Sequence, residues 1–141
     1  MLCRMNSGQG MDREIIAGYA YILRLSSEPE KLSATAFDAC RDPHNQLHLS
    51  LVSPWEIQIK QQLGKLHLQA ALSELTETQI SRNDLNILPI ELDHIYALNQ
   101  LPRHHNDPFD RLLIAQALVE SMVLVTIDRK ISRYDLEVIG G

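Results

Sequence analysis

Asp107-Pro108-Phe109-Asp110-Arg111-Leu112-Leu113-Ile114-Ala115-Gln116-Ala117-Leu118-Val119, followed shortly by Val123-Leu124-Val125-Thr126 and then Asp128, is the stretch that decides the fold. Proline at a first helical position costs no hydrogen bond, and aspartate just before it can cap the helix. The residues after Arg111 are apolar almost all round, which predicts a helix buried at the centre of the molecule rather than lying on its surface. Val123 to Thr126 is too short and too apolar for anything but a fully buried strand, with Asp128 just past its end.

The same alternation continues outward. Leu47-His48-Leu49-Ser50-Leu51-Val52 predicts a strand. Ser53-Pro54-Trp55-Glu56 opens a helix through Ile57, Ile59 and Leu63 to a terminal Gly64, with Ser53 as cap and Pro54 as first helical residue. Further helices are expected over Ser33 to Cys40, about Ala70 to Ser81, and Asp93 to Leu101, and further strands over Asn86 to Ile90 and Tyr134 to Ile139. Ile15 to Leu25 reads either as a strand running into a helix or as one helix. Strands alternating with helices of these lengths give an α/β fold with a mainly parallel central sheet. Residues 1–14 are polar and aperiodic and read as a flexible tail, and residues 15–141 as a single domain.

Composition bounds the function. The chain has 141 residues, of which 45% are hydrophobic and 22% charged, as in ordinary globular domains. No apolar run reaches the ~18 residues of a membrane span, and Met1 to Gly10 has no signal-peptide core. Cys3 and Cys40 show no disulfide or metal spacing, so a reduced cytoplasmic setting and no membrane are expected. The net charge of −5 argues against a protein that merely coats nucleic acid. It leaves room for a nuclease whose acids sit together in one metal site.

Glu56, Asp110 and Asp128 stand out by position. The first two are each the third residue of a helix, entered through the similar phrases Ser-Pro-Trp-Glu and Asp-Pro-Phe-Asp, and Asp128 follows a buried strand. In open parallel sheets ligands bind beyond the carboxyl ends of the strands. Each acid also has a purely structural reading: Ser53-x-x-Glu56 is a capping box, Asp107-x-x-Asp110 a weaker one, and Asp128 can cap a turn. As a set they favour another chemistry. Converging carboxylates repel unless a cation is shared, and Mg²⁺ or Mn²⁺ takes oxygen ligands and activates water at phosphodiesters. There is no Gly-rich phosphate loop, nucleophile elbow or Cys-x-x-Cys to support a different mechanism.

Other residues are less pointed. His104 and His105 lie in a loop before Asp107 and can touch substrate or metal, or simply be solvated; His94 reads as an ordinary surface or partly buried helix residue. Trp55 and Phe109 read as apolar anchors of their helices against the sheet, with base stacking as the alternative. Lys60, Lys65, Arg103, Arg111, Arg129, Lys130 and Arg133 can hold a phosphate backbone or be plain surface charges.

These phrases resemble the PIN-domain nucleases, in particular the VapC-like toxins. The likeness rests on Ser53 to Lys60 with Gly64-Lys65-Leu66, on Leu88-Pro89-Ile90 and Leu101-Pro102, on His105 to Ala117, and on Val125-Thr126-Ile127-Asp128. It spans about Leu23 to Ile139 in unbroken motif order. The resemblance implies an α/β/α sandwich that cleaves RNA with Mg²⁺ or Mn²⁺, dimerises, and is held inactive by a small antitoxin. It implies catalytic roles for Glu56, Asp110 and Asp128, metal binding by these with Asp107, and substrate contacts from Thr126, His105 and Arg111.

The departure is at the front. Such proteins open with a strand reading Leu-Leu-Asp-Thr-His, and Gly18 stands where the aspartate is expected, Ala20 where the histidine is, and Arg24 in place of an aromatic. Two readings follow: a working endoribonuclease, or a PIN-like protein with impaired or no catalysis that acts by binding a partner. A third is an altered start or reading frame upstream of about Ser26, tested by an Asp-Thr-His phrase in another frame of the upstream DNA.

Overall fold

The computed structural model describes residues 13–18, 21–24, 28–102, 107–126 and 138–140. Five strands form one sheet in the order β3-β2-β1-β4-β5, where β1 is Glu14–Ala17, β2 Gln46–Ser50, β3 Asn86–Leu88, β4 Val123–Thr126 and β5 Val138–Gly140. Every pairing is parallel, with Ala17 opposite both Leu49 and Val125. Ile15 to Leu25 is therefore a strand running into a helix, since residues 21–24 are helical.

Side-chain alternation divides the core into two layers. Ile15, Ala17, Leu47, Leu49, Val123 and Val125 face one side, where Ala36 and Cys40 of α1 (Ala34–Arg41) close over them. Ser33 caps that helix as expected, accepting from the Ala36 N–H at 3.1 Å. Ile16 and Leu124 face the other side, against Leu112, Leu113, Ile114 and Ala117. A sheet apolar on both faces needs helices on both, so the architecture is the expected α/β/α sandwich.

The remaining helices are α2 (Val52–Gln62), α3 (Leu72–Asn83), α4 (Leu92–Ala97) and α5 (Pro108–Glu120). Helix α5 buries every residue from Leu112 to Ala117, the centrality its composition predicts. Its first turn follows a cap by Asp107, whose Oδ1 accepts from the N–H groups of Phe109 and Asp110 at 2.8 and 3.2 Å. Because α5 precedes β4 and returns antiparallel to the strands, its N-terminus lies at their carboxyl edge. There it meets the N-terminus of α2, which leaves β2 directly.

Helix α2 starts earlier than its Ser-Pro signal predicts. Val52 is its first residue, and the Ser50 hydroxyl accepts the Val52 N–H at 3.0 Å. Ser53 and Pro54 are thus inside the first turn, where a proline still displaces no helical hydrogen bond. At the other end Gly64, with φ of +73°, takes the left-handed turn that closes the helix. No described helix is long and apolar enough to cross a membrane.

Candidate functional site

The sheet order changes direction at β1, the central strand: the chain builds outward through β2 and β3, then returns to β4 on the other side. The carboxyl ends of β1 and β4 therefore flank a topological switch point, where open α/β sheets leave a crevice. Gly18 sits there, its N–H donating to the Val125 carbonyl at 3.3 Å. Thr126 ends β4 beside it.

Glu56 is brought to this edge by the first turn and a half of α2 and is 1% exposed. It does not make the capping box that its spacing with Ser53 predicts: the position before the helix is Leu51, whose side chain cannot cap, and the Ser53 hydroxyl and Glu56 Oε1 are both buried with no hydrogen-bond partner among the described residues. Its other oxygen pairs with the Lys60 ammonium at 3.4 Å. Burial, then the negative charges of Asp110 and Asp107, push the Glu56 carboxyl up to about 7, against a smaller opposing pull from Lys60. The structure thus brings together three of the four acids singled out by sequence. Asp128 lies outside the described residues, as do His104 and His105.

An oxygen-only donor set, with one buried Glu56 oxygen that has no hydrogen-bond partner among the described residues, has the chemistry of a hard divalent cation site. Glu56 lies close enough to Asp110 and Asp107 to feel their charge, but their ligand oxygens are not within 4.8 Å of one another as Glu91, His94 and Glu120 are, so to hold an ion these side chains would have to close in on it. Asp107 serves two purposes at once, because its Oδ1 caps α5 while its charge acts on Glu56.

The aromatic residues depart from expectation. Phe109 packs against the core layer under α5, but Trp55 is 50% exposed and rests on Phe109, not on the sheet. Their ring centroids are 4.9 Å apart at 83°, the edge-to-face geometry that aromatic pairs prefer. Arg111 donates to the carbonyls of Pro102 and Leu98 at 3.0 and 3.2 Å, so its guanidinium ties the start of α5 to the segment from Leu98 to Pro102.

His94 is fully buried, not the surface or partly buried residue its position predicts. Its Nδ1 accepts from the Glu91 N–H at 3.0 Å and its Nε2 donates to Glu120 at 2.8 Å. Glu91, His94 and Glu120 have metal-compatible spacing. Freeing Nε2 for an ion, however, would move the proton to Nδ1, against the Glu91 N–H. The trio is a hydrogen-bonded lock at the far end of α5 from Asp110. The burial of His94 could not be seen in sequence, because its partner Glu120 lies 26 residues away.

No curated protein matches the chain. Among solved structures it is similar to VapBC2 from Rickettsia felis bound to a DNA fragment from their promoter, at 16% identity and TM-score 0.68, covering 90% of this chain and 98% of that one. It is also similar to FitAB bound to an IR36 DNA fragment, at 17% identity and TM-score 0.60, covering 89% and 94%. A third is PAE2754 from Pyrobaculum aerophilum, at 16% identity and TM-score 0.56, covering 93% and 87%. These likenesses agree on the fold. The family model of the PIN domain matches residues 20–137, and the chain belongs to the PIN domain family.

Proposed function

We propose that the chain is a Mg²⁺- or Mn²⁺-dependent endoribonuclease of the VapC-like toxin type. The observation that carries this reading is Glu56: a buried carboxyl pushed up to about 7, one oxygen without a hydrogen-bond partner among the described residues, beside the charges of Asp110 and Asp107. Such an arrangement is costly to fold around and is characteristic of a site awaiting a cation. When bound, the ion would polarise water and the phosphate oxygens of RNA. Asp110, Asp107 and Asp128 would hold it, with Glu56 as a ligand or, through Oε1, orienting the attacking water. The water oxygen would bond to phosphorus as the P–O bond to the departing ribose oxygen breaks, the water's proton passing to the Glu56 carboxylate and the departing oxygen taking a proton from solvent. Thr126 and His105 are assigned to substrate contact. Arg111, whose guanidinium is tied to the Pro102 and Leu98 carbonyls, is assigned to substrate contact with them.

A small antitoxin is the proposed partner, in keeping with the VapBC2 and FitAB assemblies among the similar structures. A homodimer in the cytoplasm completes the proposal.

The absence of a side chain at Gly18 favours a second reading, a PIN-like protein with weak or no catalysis that retains partner binding. An RNA cleavage assay with and without EDTA, beside Asp110→Asn, tests the first. Cleavage lost under both treatments supports the metal mechanism. Cleavage unaffected by both ends it, and no cleavage with intact antitoxin binding supports the second reading.

A further inference from the structure

Gln116 is fully buried within the otherwise apolar run Leu112 to Ala117 of α5, and its amide contacts three elements. The Ser50 hydroxyl at the end of β2 donates to its Oε1 at 2.5 Å. Its Nε2 donates to the Pro89 carbonyl after β3 at 3.2 Å and lies 3.3 Å from Nδ1 of His94 on α4. His94 in turn donates to Glu120, the last residue of α5. A polar chain from Ser50 to Glu120 therefore crosses the helical layer behind the crevice.

The Ser50 end of this chain bears on the site. The same hydroxyl that donates to Gln116 accepts the Val52 N–H and so starts α2, one turn before Glu56. Gln116 lies six residues after Asp110, about 9 Å along the same helix at 1.5 Å per residue. One side chain thus fixes where α2 begins relative to α5. A burial this polar is costly unless every partner is in place, so the arrangement has one low-energy geometry.

We propose that Gln116, through Ser50, is a positioning residue that sets the approach of Glu56 to Asp110; this rests on the metal-site reading above. Leucine fills the same space without the hydrogen bonds, so Gln116→Leu removes the register and leaves the packing. Outer residues that orient metal ligands are typically worth ten- to a hundredfold in metal affinity.

The test uses Gln116→Leu, Ser50→Ala, the double variant, and Val123→Ala as a control destabilised on the opposite face of the sheet. Two readouts are taken: Mn²⁺ affinity by titration calorimetry, and the indole N–H resonance of Trp55, the single tryptophan, which sits at the α2–α5 junction. Both single variants are expected to shift the resonance and weaken Mn²⁺ binding about ten- to a hundredfold. The double variant should be no worse than the weaker-binding single, and Val123→Ala should change neither readout. A lower Tm with wild-type resonance and affinity, or effects that multiply in the double variant, overturns the proposal. If the wild type takes up no Mn²⁺, the metal reading fails, while the indole resonance still decides whether Gln116 sets the junction. Should Gln116→Leu not fold, Gln116→Met, which keeps the length of the side chain without its amide, against Val123→Ala gives the same decision.

Discussion

The rings of Trp55 and Phe109 meet edge to face with centroids 4.9 Å apart, and each stands one residue before an acid of the candidate site. The contact therefore pins together the first turns of α2 and α5, which carry Glu56 and Asp110. Edge-to-face pairs are worth about 0.5–1.5 kcal/mol beyond area burial. Phe109→Leu keeps an apolar side chain under α5 and removes the ring contact. It is expected to cost about 1 kcal/mol in urea denaturation and to alter Trp55 fluorescence in the folded protein. Unchanged fluorescence would show that the pairing does not persist in solution.

Glu56 makes the stability of the metal-free protein depend on pH. Its carboxyl is pushed up to about 7 in the folded chain from an ordinary 4.5, so folding favours the protonated form. The favourable contribution is fully present below about pH 4.5 and is lost as pH rises through about 7, a change of at most about 3 kcal/mol by linkage. Glu56→Gln should flatten this dependence, being less affected between about pH 5 and pH 8 in denaturant titrations. Mn²⁺ competes with the same proton, so affinity should rise over that range in the wild type. A wild-type stability that climbs from pH 5 to pH 8 as steeply as that of Glu56→Gln would contradict the assignment.

Much of this was legible in the sequence, and the failures have definite causes. Alternation in Leu47-His48-Leu49 and the apolar run from Leu112 to Ala117 report burial directly, so the parallel sheet and its central helix could be read from local pattern. The start of α2 could not. Ser53-Pro54-Trp55-Glu56 carries a strong capping signature, but the Ser50 hydroxyl takes the cap because Gln116, 66 residues away, holds it in place. The same kind of long-range partner hides His94. Convergence of Glu56 and Asp110 was suggested by their positions at helix starts, and Asp107 joined them only through the family resemblance. Only the structure removes the capping role that competed with it for Glu56.

Asp107 allows charge and capping to be separated. Asparagine caps a helix as well as aspartate, whereas alanine removes the acceptor for the Phe109 and Asp110 N–H groups. Asp107→Asn should leave the Tm within a few degrees of wild type yet weaken Mn²⁺ binding and lower the Glu56 pKa, measurable by carboxyl NMR. Asp107→Ala should add a loss of about 1 kcal/mol. Equal Mn²⁺ affinity in Asp107→Asn and wild type would confine Asp107 to capping.

Gly18 offers the most direct test of whether the site is complete. It follows the central strand, its φ is outside the left-handed region, and among the described residues a Cβ built there meets only Leu113 Cδ1, at 3.9 Å. Leu113 is one turn past Asp110, so a side chain at 18 would extend along the face of α5 that carries that acid. An aspartate can therefore be accommodated without backbone strain. Adding a carboxylate to a site that already pushes Glu56 upward should destabilise the metal-free protein by about 1 kcal/mol. It should strengthen Mn²⁺ binding about tenfold or more, because a full charge enters the cation's immediate surroundings. Calorimetric titration of Gly18→Asp against wild type, with RNA cleavage measured in parallel, reads both effects. Tighter binding with newly gained cleavage would mark the natural chain as a silenced nuclease. Tighter binding with wild-type cleavage already substantial would show that the acids already present suffice. Affinity unchanged by the added carboxylate would mean that the crevice beyond β1 is not where the cation sits.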